Sequence, residues 1–241
     1  MRLLLNNELT TAESVTVKSV NPSYPVVNLY DKTLSKLYRS LANNEQYITM
    51  INSTAITIDT ILLYGHNLTS LATVTLKGTN TLDFVSPDYE TTIDVNTVIY
   101  KEIPQESFKA WRLEIDDPTN ECDCISIQEM FIGCFFQFPS FEIGYSISKN
   151  SLSVTATTRG GTKYGNKQGR LESWSLNVSG LTGSEKIELE DIFDNIDIVD
   201  SFWFLPFEED DKYLYVTLPS IPTFQNDKTT YSMNIDLLEQ K

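Results

Sequence analysis

The chain of 241 residues contains little of three things that catalysis and nucleic-acid binding commonly use: histidine, cysteine and positive charge. It has one histidine, three cysteines, and 18 lysines and arginines against 33 acidic residues, which gives a net charge of −15. An acidic surface repels nucleic acid and anionic lipid, so the composition predicts neither a sequence-specific nucleic-acid partner nor a membrane partner. Three cysteines are an odd number, which favours reduced thiols over a disulfide framework.

Long apolar runs are also missing from the sequence. No run approaches the roughly 18 residues that a membrane-spanning helix needs. The opening segment, MRLLLNNELTT, lacks the continuous apolar stretch of a secretory signal. We therefore expect a protein that is made and kept in the cytoplasm of its cell. With 41% apolar residues, the chain can form one large β domain or two domains of ordinary size.

The sequence contains none of the common catalytic motifs. There is no GxSxG nucleophile elbow, no phosphate-binding Walker or GxGxxG loop and no HExxH zinc motif. Catalysis through a histidine would have to use His66. The sequence therefore predicts no catalytic residues, no cofactor and no enzyme. A glycoside hydrolase with a carboxylate pair stays open as a third function, because any two of the 33 acids could form such a pair.

Two segments have a composition that suggests metal binding, and neither has a complete ligand set. Cys122 and Cys124 would share one face on a strand, but a zinc site needs two further ligands that the neighbouring sequence does not supply. We interpret them as ordinary strand cysteines. The acidic run FEEDDKY, residues 207–213, lacks the glycine and the alternation of an EF-hand loop. The sequence predicts a solvated hairpin tip there, and no metal site.

Alternation of apolar and polar residues in the first half of the chain predicts β-strands. The segments YITMINSTAITIDTILLYG, LATVTLKG and AWRLEIDD show it, and Asn, Gly, Asp and Pro turns separate them. In AWRLEIDD, Trp111, Leu113 and Ile115 point one way, while Arg112 and Glu114 point the other way. Short strands at this spacing predict a jelly-roll-like antiparallel β-sandwich over residues 1–136.

The second half, residues 137–241, is predicted to be another β-sandwich or barrel with one helix. Its strands include LESWSLNVSGL and TTYSMNIDLLEQ, whose apolar residues share one face: Trp174, Leu176 and Val178 in the first, and Tyr231, Met233, Ile235 and Leu237 in the second. The helix is predicted at about 182–196. Thr182 and Glu185 form a capping box at its start, and Leu189, Ile192, Phe193 and Ile196 form one apolar stripe.

The segment RGGTKYGNKQGR, residues 159–170, differs from the acidic chain around it. It holds four glycines together with Arg159, Lys163, Lys167 and Arg170. This composition predicts a flexible, positively charged loop. Two interpretations stay open: a solvated hairpin, or an arm that contacts the acidic surface of a neighbouring subunit.

His66 is predicted to be a turn residue. It follows the apolar run ILLY and Gly65 and precedes Asn67, where a strand leaves the core. Glycine and asparagine tolerate left-handed backbone geometry, and histidine is itself enriched there. With no catalytic partner in the sequence, the residues Gly65, His66 and Asn67 are interpreted as a structural turn.

Two sequence stretches resemble a known module. DTILLYGHNLTSLATVTLKG, followed by AWRLEIDDPTNECDCISIQEMFIG, resembles the discoidin-like, galactose-binding-type module found in bacteriophage tail proteins. In that module a GHNL turn follows a buried strand, and a Trp-Arg strand leads to a closing Phe-x-Gly. The upstream YPVVNLYDKTLSKLYRS is similar to the module's opening. The resemblance implies that His66 belongs to the scaffold.

The second half is similar to the tube-like domain of phage distal tail and tail-tip proteins. The basic Gly-Gly loop, a Trp-containing strand, a capped helix and a final strand carry this resemblance. It implies a structural subunit of a ring at the tail tip, hexameric in the family, which joins the tail tube to hub or fibre proteins. The order of the two domains is reversed relative to the familiar distal tail arrangement.

From these features the sequence predicts a virion structural protein, assembled in the host cytoplasm, with itself, tube, hub and fibre proteins as partners. Arg159, Lys163, Lys167 and Arg170 are its candidate interface residues. The alternative is a carbohydrate-binding module that recognises a host surface glycan. Aromatic rings stack on sugars, so Tyr30, Tyr38, Tyr89 and Tyr100 are its candidate contacts, although tyrosine is equally common on ordinary strand faces.

Overall fold

A computed structural model describes residues 1–138, 143–166, 168–207 and 212–240, with the side chains of Ile143 and Lys163 left undescribed. The described part of the chain is mainly β, with antiparallel sheets and one α-helix, as predicted. The chain divides into two compact units, one of residues Arg2–Phe136 and the other of Gln137–Lys241 with Met1. In the described part of the chain, no helix has the length and hydropathy needed to cross a membrane.

The amino-terminal unit is built from nine strands and two short 3-10 helices. The strands are β1 (Arg2–Leu4), β2 (Ser14–Val17), β3 (Tyr38–Arg39), β4 (Gln46–Tyr64), β5 (Thr73–Thr79), β6 (Tyr89–Ile93), β7 (Ile99–Asp116), β8 (Ser126–Ile127) and β9 (Glu129–Gly133). The 3-10 helices are Glu8–Thr10 and Val26–Leu29. Strand β10 (Phe135–Gln137) lies at the division between the units.

The main sheet of this unit has the order β2-β4-β7-β5-β6, with β9 also paired to β4, and β3 pairs with β8. The predicted alternation on β7 is confirmed, because Trp111, Leu113 and Ile115 are buried in the core. They pack with apolar residues of β4, β5 and β9. The opposite face of the same strands carries polar side chains, and it is this face that positions the candidate site.

The carboxyl-terminal unit contains the remaining strands and the helix. They are β11 (Ile143–Ser151), β12 (Val154–Thr157), β13 (Lys163–Asn166), β14 (Arg170–Leu181), α1 (Gly183–Asp194), β15 (Ser201–Leu205), β16 (Leu214–Thr217), β17 (Thr223–Asn226) and β18 (Tyr231–Glu239). The strand order is β15-β16-β18-β14-β11, with β17 beside β18, and β12 and β13 form a separate hairpin.

Strands β14 and β18 supply the core of this unit in the predicted way. Trp174, Leu176 and Val178 are buried, and they stand opposite Leu237, Ile235 and Met233 in the antiparallel register. Tyr231 is only partly buried. Helix α1 buries Leu189 and Phe193 from its predicted stripe, while Ile192 and Ile196 stay partly exposed.

The capping box of α1 is confirmed. The Glu185 backbone N–H donates to Thr182 Oγ1 at 3.3 Å, and the Thr182 backbone N–H donates to Glu185 Oε2 at 2.7 Å. Two of the backbone donors that a helix start leaves unpaired are thereby satisfied. The helix ends at Asp194, two residues before the predicted end, with Asn195 as its C-cap.

Two local predictions were wrong. The basic segment is not a loop throughout, because β12 and β13 form a hairpin in which Thr157 pairs with Lys163. The residues flanking its glycines, such as Val154 and Tyr164, favour strands. Cys122 and Cys124 do not lie on a strand, since they occupy the turn between β7 and β8. Asn and Asp side chains form that turn, and the Cys122 N–H donates to Asn120 Oδ1 at 3.0 Å.

Candidate functional site

The outer face of the amino-terminal sheet aligns polar side chains in rows across three strands. Tyr47 on β4 stands opposite Glu114 on β7, and Glu114 stands opposite Thr75 on β5. The adjacent row contains Thr49, Arg112 and Lys77. Because alternate residues of a strand share a face, both rows project away from the core.

Arg112 is fixed at the centre of this face. Its guanidinium carbon lies 3.8 Å from the centre of the Phe84 ring and 4.3 Å from that of Tyr47, a cation–π arrangement on two rings. Arg112 Nε donates to Thr49 Oγ1 at 2.9 Å. These contacts restrict the side-chain rotamer of Arg112 before any ligand binds. The entropic cost of binding a ligand through the other guanidinium nitrogens is therefore lower.

A shallow cavity of about 370 Å³ opens on this face. Its lining residues are Lys18, Glu45, Gln46, Tyr47, Thr73, Thr75, Arg112, Glu114, Ile115 and Asp116. We name it the outer-face cavity.

The charges of the outer-face cavity are largely paired within the protein. Lys18 Nζ lies 3.1 Å from Glu45 Oε2, and Glu114 lies 2.7 Å from Lys77 Nζ and 3.9 Å from Arg112 Nη1. A balanced set of donors, acceptors and hydroxyls beside an aromatic ring suits a neutral ligand with many hydroxyl groups better than an ion. The cavity lining contains no histidine and no cysteine that could act as a nucleophile or base.

His66 lies directly after β4 in a tightly bonded turn. Gly65 has φ +62°, and a side chain there would overlap Gln128. His66 Nδ1 accepts the Leu68 N–H at 3.2 Å. Burial lowers the pKa of His66, and a backbone hydrogen bond with Asn96 offsets this in part. These contacts are those of a residue that holds a turn.

Asn67 joins this turn to the loop after β7. Its Nδ2 donates to the Cys124 carbonyl at 2.9 Å, and its Oδ1 accepts the Ser126 N–H at 2.8 Å. Asp117 in the same loop is buried and accepts the Thr69 N–H and hydroxyl at 2.8 and 2.6 Å. Burial raises the pKa of Asp117, but the Thr69 and Asn120 hydrogen bonds outweigh it and hold the pKa below its ordinary value.

Glu129 is a buried carboxyl at the start of β9. Its Oε2 atom has no hydrogen-bond partner in the structure, and the residue is 2% exposed. Burial, followed by the nearby charge of Asp31, raises the pKa of Glu129 to about 9, although Lys32 opposes the shift. The group is therefore neutral at pH 7 unless a cation balances it. Carboxylate oxygens of this kind are ligands that hard divalent cations accept.

The four tyrosines predicted as glycan contacts lie on separate elements, and none lines the outer-face cavity. For Tyr38 the prediction fails, because its ring is buried and its hydroxyl donates to the Ser19 carbonyl at 2.8 Å. Tyr89 packs on Trp111 and Phe108. The Tyr100 hydroxyl donates to Glu102 at 3.0 Å, and Tyr30 packs against the core.

Three of the four predicted interface residues, Arg159, Lys163 and Arg170, lie along the hairpin and at the start of β14. Arg159 is exposed in the turn between β12 and β13, and Arg170 is exposed as the first residue of β14. Lys163 is the first residue of β13. Lys167 lies outside the described residues, as do residues 208–211 of the acidic run.

The three cysteines are free thiols in the structure. Cys134 donates to the Thr57 carbonyl at 3.3 Å, and burial raises the pKa of its thiol. Within the residues that the structure describes, no three His, Cys, Asp or Glu side chains come together as a metal site.

No known protein family matches the sequence, and no curated protein does so either. Several solved structures are similar to about half of the chain. A fucose-binding module of Streptococcus pneumoniae is 10% identical over 51% of this chain and 91% of that chain, with a TM-score of 0.40. The CBM32 module of AlyQ, in complex with 4,5-unsaturated mannuronic acid, is 19% identical over 50% and 94%, with a TM-score of 0.38. A chitosan-binding module from Paenibacillus sp. IK-5 is 17% identical over 54% and 96%, with a TM-score of 0.38.

The sequence reasoning found only part of the outer-face cavity. It placed Arg112 and Glu114 on the outward face of β7, which is confirmed, but it did not bring Tyr47 and Thr75 beside them. Strand order and register supply that information, because β4 and β5 flank β7. A signal was present in the three segments, since each places a polar or aromatic residue at alternate positions.

Proposed function

We propose that the amino-terminal unit is a glycan-binding module and that the outer-face cavity is its binding site. The observation that carries this proposal is the restrained Arg112, held on two aromatic rings beside Glu114 and Thr75 in a cavity with paired charges. Arginine donates to sugar hydroxyls, carboxylates accept from them, and the partly exposed face of an aromatic ring stacks on the sugar ring. The proposal includes no catalytic step.

A glycan array with the full chain tests this proposal. The panel includes fucosylated glycans, chitosan oligosaccharides and mannuronate oligosaccharides, the sugar classes named for the similar solved structures. Binding of the selected sugar is then measured by calorimetry for the wild type, Arg112→Ala and Glu114→Gln. Both variants are expected to lose at least about tenfold in affinity, the effect of one charge-assisted hydrogen bond.

Lys109→Ala is the matched control, because Lys109 lies exposed on the same strand outside the cavity lining. Circular dichroism spectra confirm that each variant is folded. Equal binding by the wild type and by Arg112→Ala would show that the sugar does not bind in the outer-face cavity. Release of reducing sugar during the assay would support the hydrolase instead.

A second candidate function is a structural subunit of a phage tail-tip ring that links the tail tube to hub or fibre proteins. Beside the sequence resemblance, the exposed hairpin with Arg159 at its turn favours this candidate, because ring subunits need a projecting contact for a neighbour. Under this proposal the protein resides in the virion and assembles in the host cytoplasm with copies of itself.

Charge reversal tests the ring. Arg159, Lys163, Lys167 and Arg170 are replaced together by glutamate, and phage assembly is followed by electron microscopy. Stalled tail tips or unjoined heads are expected, since like charges across an interface cost several kcal/mol. Particles at normal yield would show that the hairpin is solvated and that these four residues lie outside the interface.

A further inference from the structure

Two segments of the carboxyl-terminal unit carry charges of opposite sign. Residues 143–170 contain five basic residues and no acidic residue, although the chain as a whole has a net charge of −15. Residues 183–199 contain six acidic residues and one lysine. We name the first the cationic segment and the second the anionic segment.

The cationic segment comprises β11 and the β12–β13 hairpin, and β11 has an open edge. It pairs with β14 on one side, and among the described strands none pairs with its other side. Natural edge strands commonly carry charges or proline that block further pairing. In β11 the one charged residue is Lys149, so this edge has little protection against contact with another chain.

Apolar side chains of the cationic segment are exposed beside these charges. Tyr145 and Ile147 stand opposite Leu176 and Trp174, on the face that forms the core further along the sheet. At the edge they are 51% and 44% exposed. Tyr164 on the hairpin is exposed as well. Apolar surface that continues from the core into solvent is typical of a contact surface.

The anionic segment also combines exposed charges, here negative, with exposed apolar side chains. Glu188, Asp191 and Asp194 are exposed along α1. Ile187 and Val199 are exposed beside them, at 58% and 78%. The two segments therefore complement each other in charge, and each adds apolar area that a contact would bury.

The described ion pairs do not join the two segments. Lys149 lies 3.7 Å from Glu172 on the neighbouring strand, and Lys186 pairs with Glu190 one turn further along its own helix. Glu188, Asp191 and Asp194 thus keep exposed carboxylates that another molecule can reach.

We propose that the cationic segment of one copy of this chain binds the anionic segment of a second copy. Since the two surfaces differ, the contact is heterologous, and repetition gives a closed ring or an open chain of subunits. A second copy is favoured over nucleic acid as the partner, because it offers the exposed apolar side chains of Ile187 and Val199 together with its carboxylates. The proposal is independent of glycan binding, and it supplies the partner surface that the ring candidate needs.

Two charge-reversal variants and their mixture test the proposal. Variant one carries Arg159→Glu and Lys163→Glu, and variant two carries Glu188→Lys, Asp191→Lys and Asp194→Lys. Matched controls with equal charge changes are Lys109→Glu with Lys228→Glu, and Glu90→Lys with Asp94→Lys and Glu121→Lys, all at exposed positions. Circular dichroism first confirms that each protein is folded. Its mass is then measured by sedimentation velocity at about 0.05 M and 0.5 M salt.

The wild type and both controls are expected to associate with increasing concentration at low salt, and to dissociate at high salt. Each variant alone is expected to lose at least about tenfold in association constant, because like charges then face each other. Mixed one to one, the two variants are expected to associate again, since their unchanged surfaces match and their two reversed surfaces also carry opposite charges.

A monomeric wild type at low salt, or variants that associate like their controls, would overturn the proposal. Salt-sensitive binding of DNA by a wild type that stays monomeric would show that the cationic segment binds a polyanion, and this result would also overturn the proposal. A wild type that associates, together with a mixture of the two variants that does not, would exclude this pair of surfaces while leaving the ring candidate standing. The sugar affinity of the same samples reports separately on the glycan proposal.

Discussion

Arg112 and Phe84 form the closest cation–π contact of the described residues, with the guanidinium carbon 3.8 Å from the ring centre. The contact joins the middle of β7 to the loop between β5 and β6. It holds a charged group in place on a face that is open to solvent. A substitution that keeps the positive charge but removes the stacking can separate the effects of the two on sugar binding.

Arg112→Lys is expected to weaken sugar binding nearly as much as Arg112→Ala. Lysine keeps the positive charge, but it lacks the planar fork that stacks on two rings and donates in fixed directions. Loss of the stacking is also expected to lower the free energy of unfolding by about 1 kcal/mol. Calorimetry and urea denaturation measure the two effects. A lysine variant with wild-type affinity would show that charge alone matters.

His66→Gln is expected to preserve binding and to lower the free energy of unfolding by at most about 1–2 kcal/mol, the range for one buried hydrogen bond. Gly65→Ala next to it is expected to cost more, because its φ is +62° and a Cβ would overlap Gln128. Thermal denaturation compares the two variants. Loss of a measurable catalytic activity in a folded His66→Gln protein would overturn the assignment to a turn.

Stability is expected to fall as the pH rises from about 4.5 to about 9 because of Glu129. Its pKa is 4.5 in the ordinary state and about 9 in the folded protein, so between these values the folded state holds a proton that the unfolded state has lost. The contribution is complete below pH 4.5, declines through the interval and is lost above about 9. At pH 7 the decline amounts to roughly 3 kcal/mol.

Glu129→Gln is expected to flatten this profile and to raise the free energy of unfolding at pH 8, since glutamine is neutral and of similar shape. Urea denaturation between pH 5 and 9 measures it. If calcium stabilises the wild type at pH 8 and leaves Glu129→Gln unchanged, a cation and not a proton balances this carboxyl.

Thr182→Ala is expected to lower the free energy of unfolding by about 1 kcal/mol, because it leaves the Glu185 N–H without its cap. Thr182→Ser is the control, since serine keeps the hydroxyl. Equal losses in both variants would mean that the hydroxyl does not act as a cap.

Thiol titration of the denatured protein is expected to count three free cysteines, and metal analysis is expected to find less than one zinc per chain. Cys122 and Cys124 lie in a turn with no further ligand set among the described residues. Stoichiometric zinc that leaves as the protein unfolds would contradict this.

Local patterns predicted the elements whose signals are contained in a few neighbouring residues. The core face of β14, the outward position of Arg112 and the capping box at Thr182 each follow from spacing along one strand or helix. The same patterns left the hairpin as one of two interpretations, since the four glycines of residues 159–170 indicated a flexible loop while Val154 and Tyr164 favoured strand pairing.

The candidate site could not be predicted because it depends on contacts between distant segments. Tyr47 meets Arg112 only when β4 pairs with β7 in one register, and Phe84 reaches Arg112 from another loop. Glu129 illustrates the same limit: the apolar run Met130–Ile132 beside it indicates a buried strand, but nothing in the sequence shows that the Glu129 carboxyl lacks a hydrogen-bond partner for Oε2. The register of strands that are far apart is set by tertiary packing rather than by local pattern.

The pairing of β9 with β4 sets an order of events during synthesis. Thr60 pairs with Gly133, so about seventy residues must leave the ribosome after Thr60 before this edge of β4 is covered. At roughly 5–20 residues per second, that interval lasts several seconds. Asn7 then bonds to the Met130 carbonyl and to the Ile132 N–H, which ties the first residues of the unit to the last. A nascent chain therefore leaves this edge of β4 unpaired until β9 arrives.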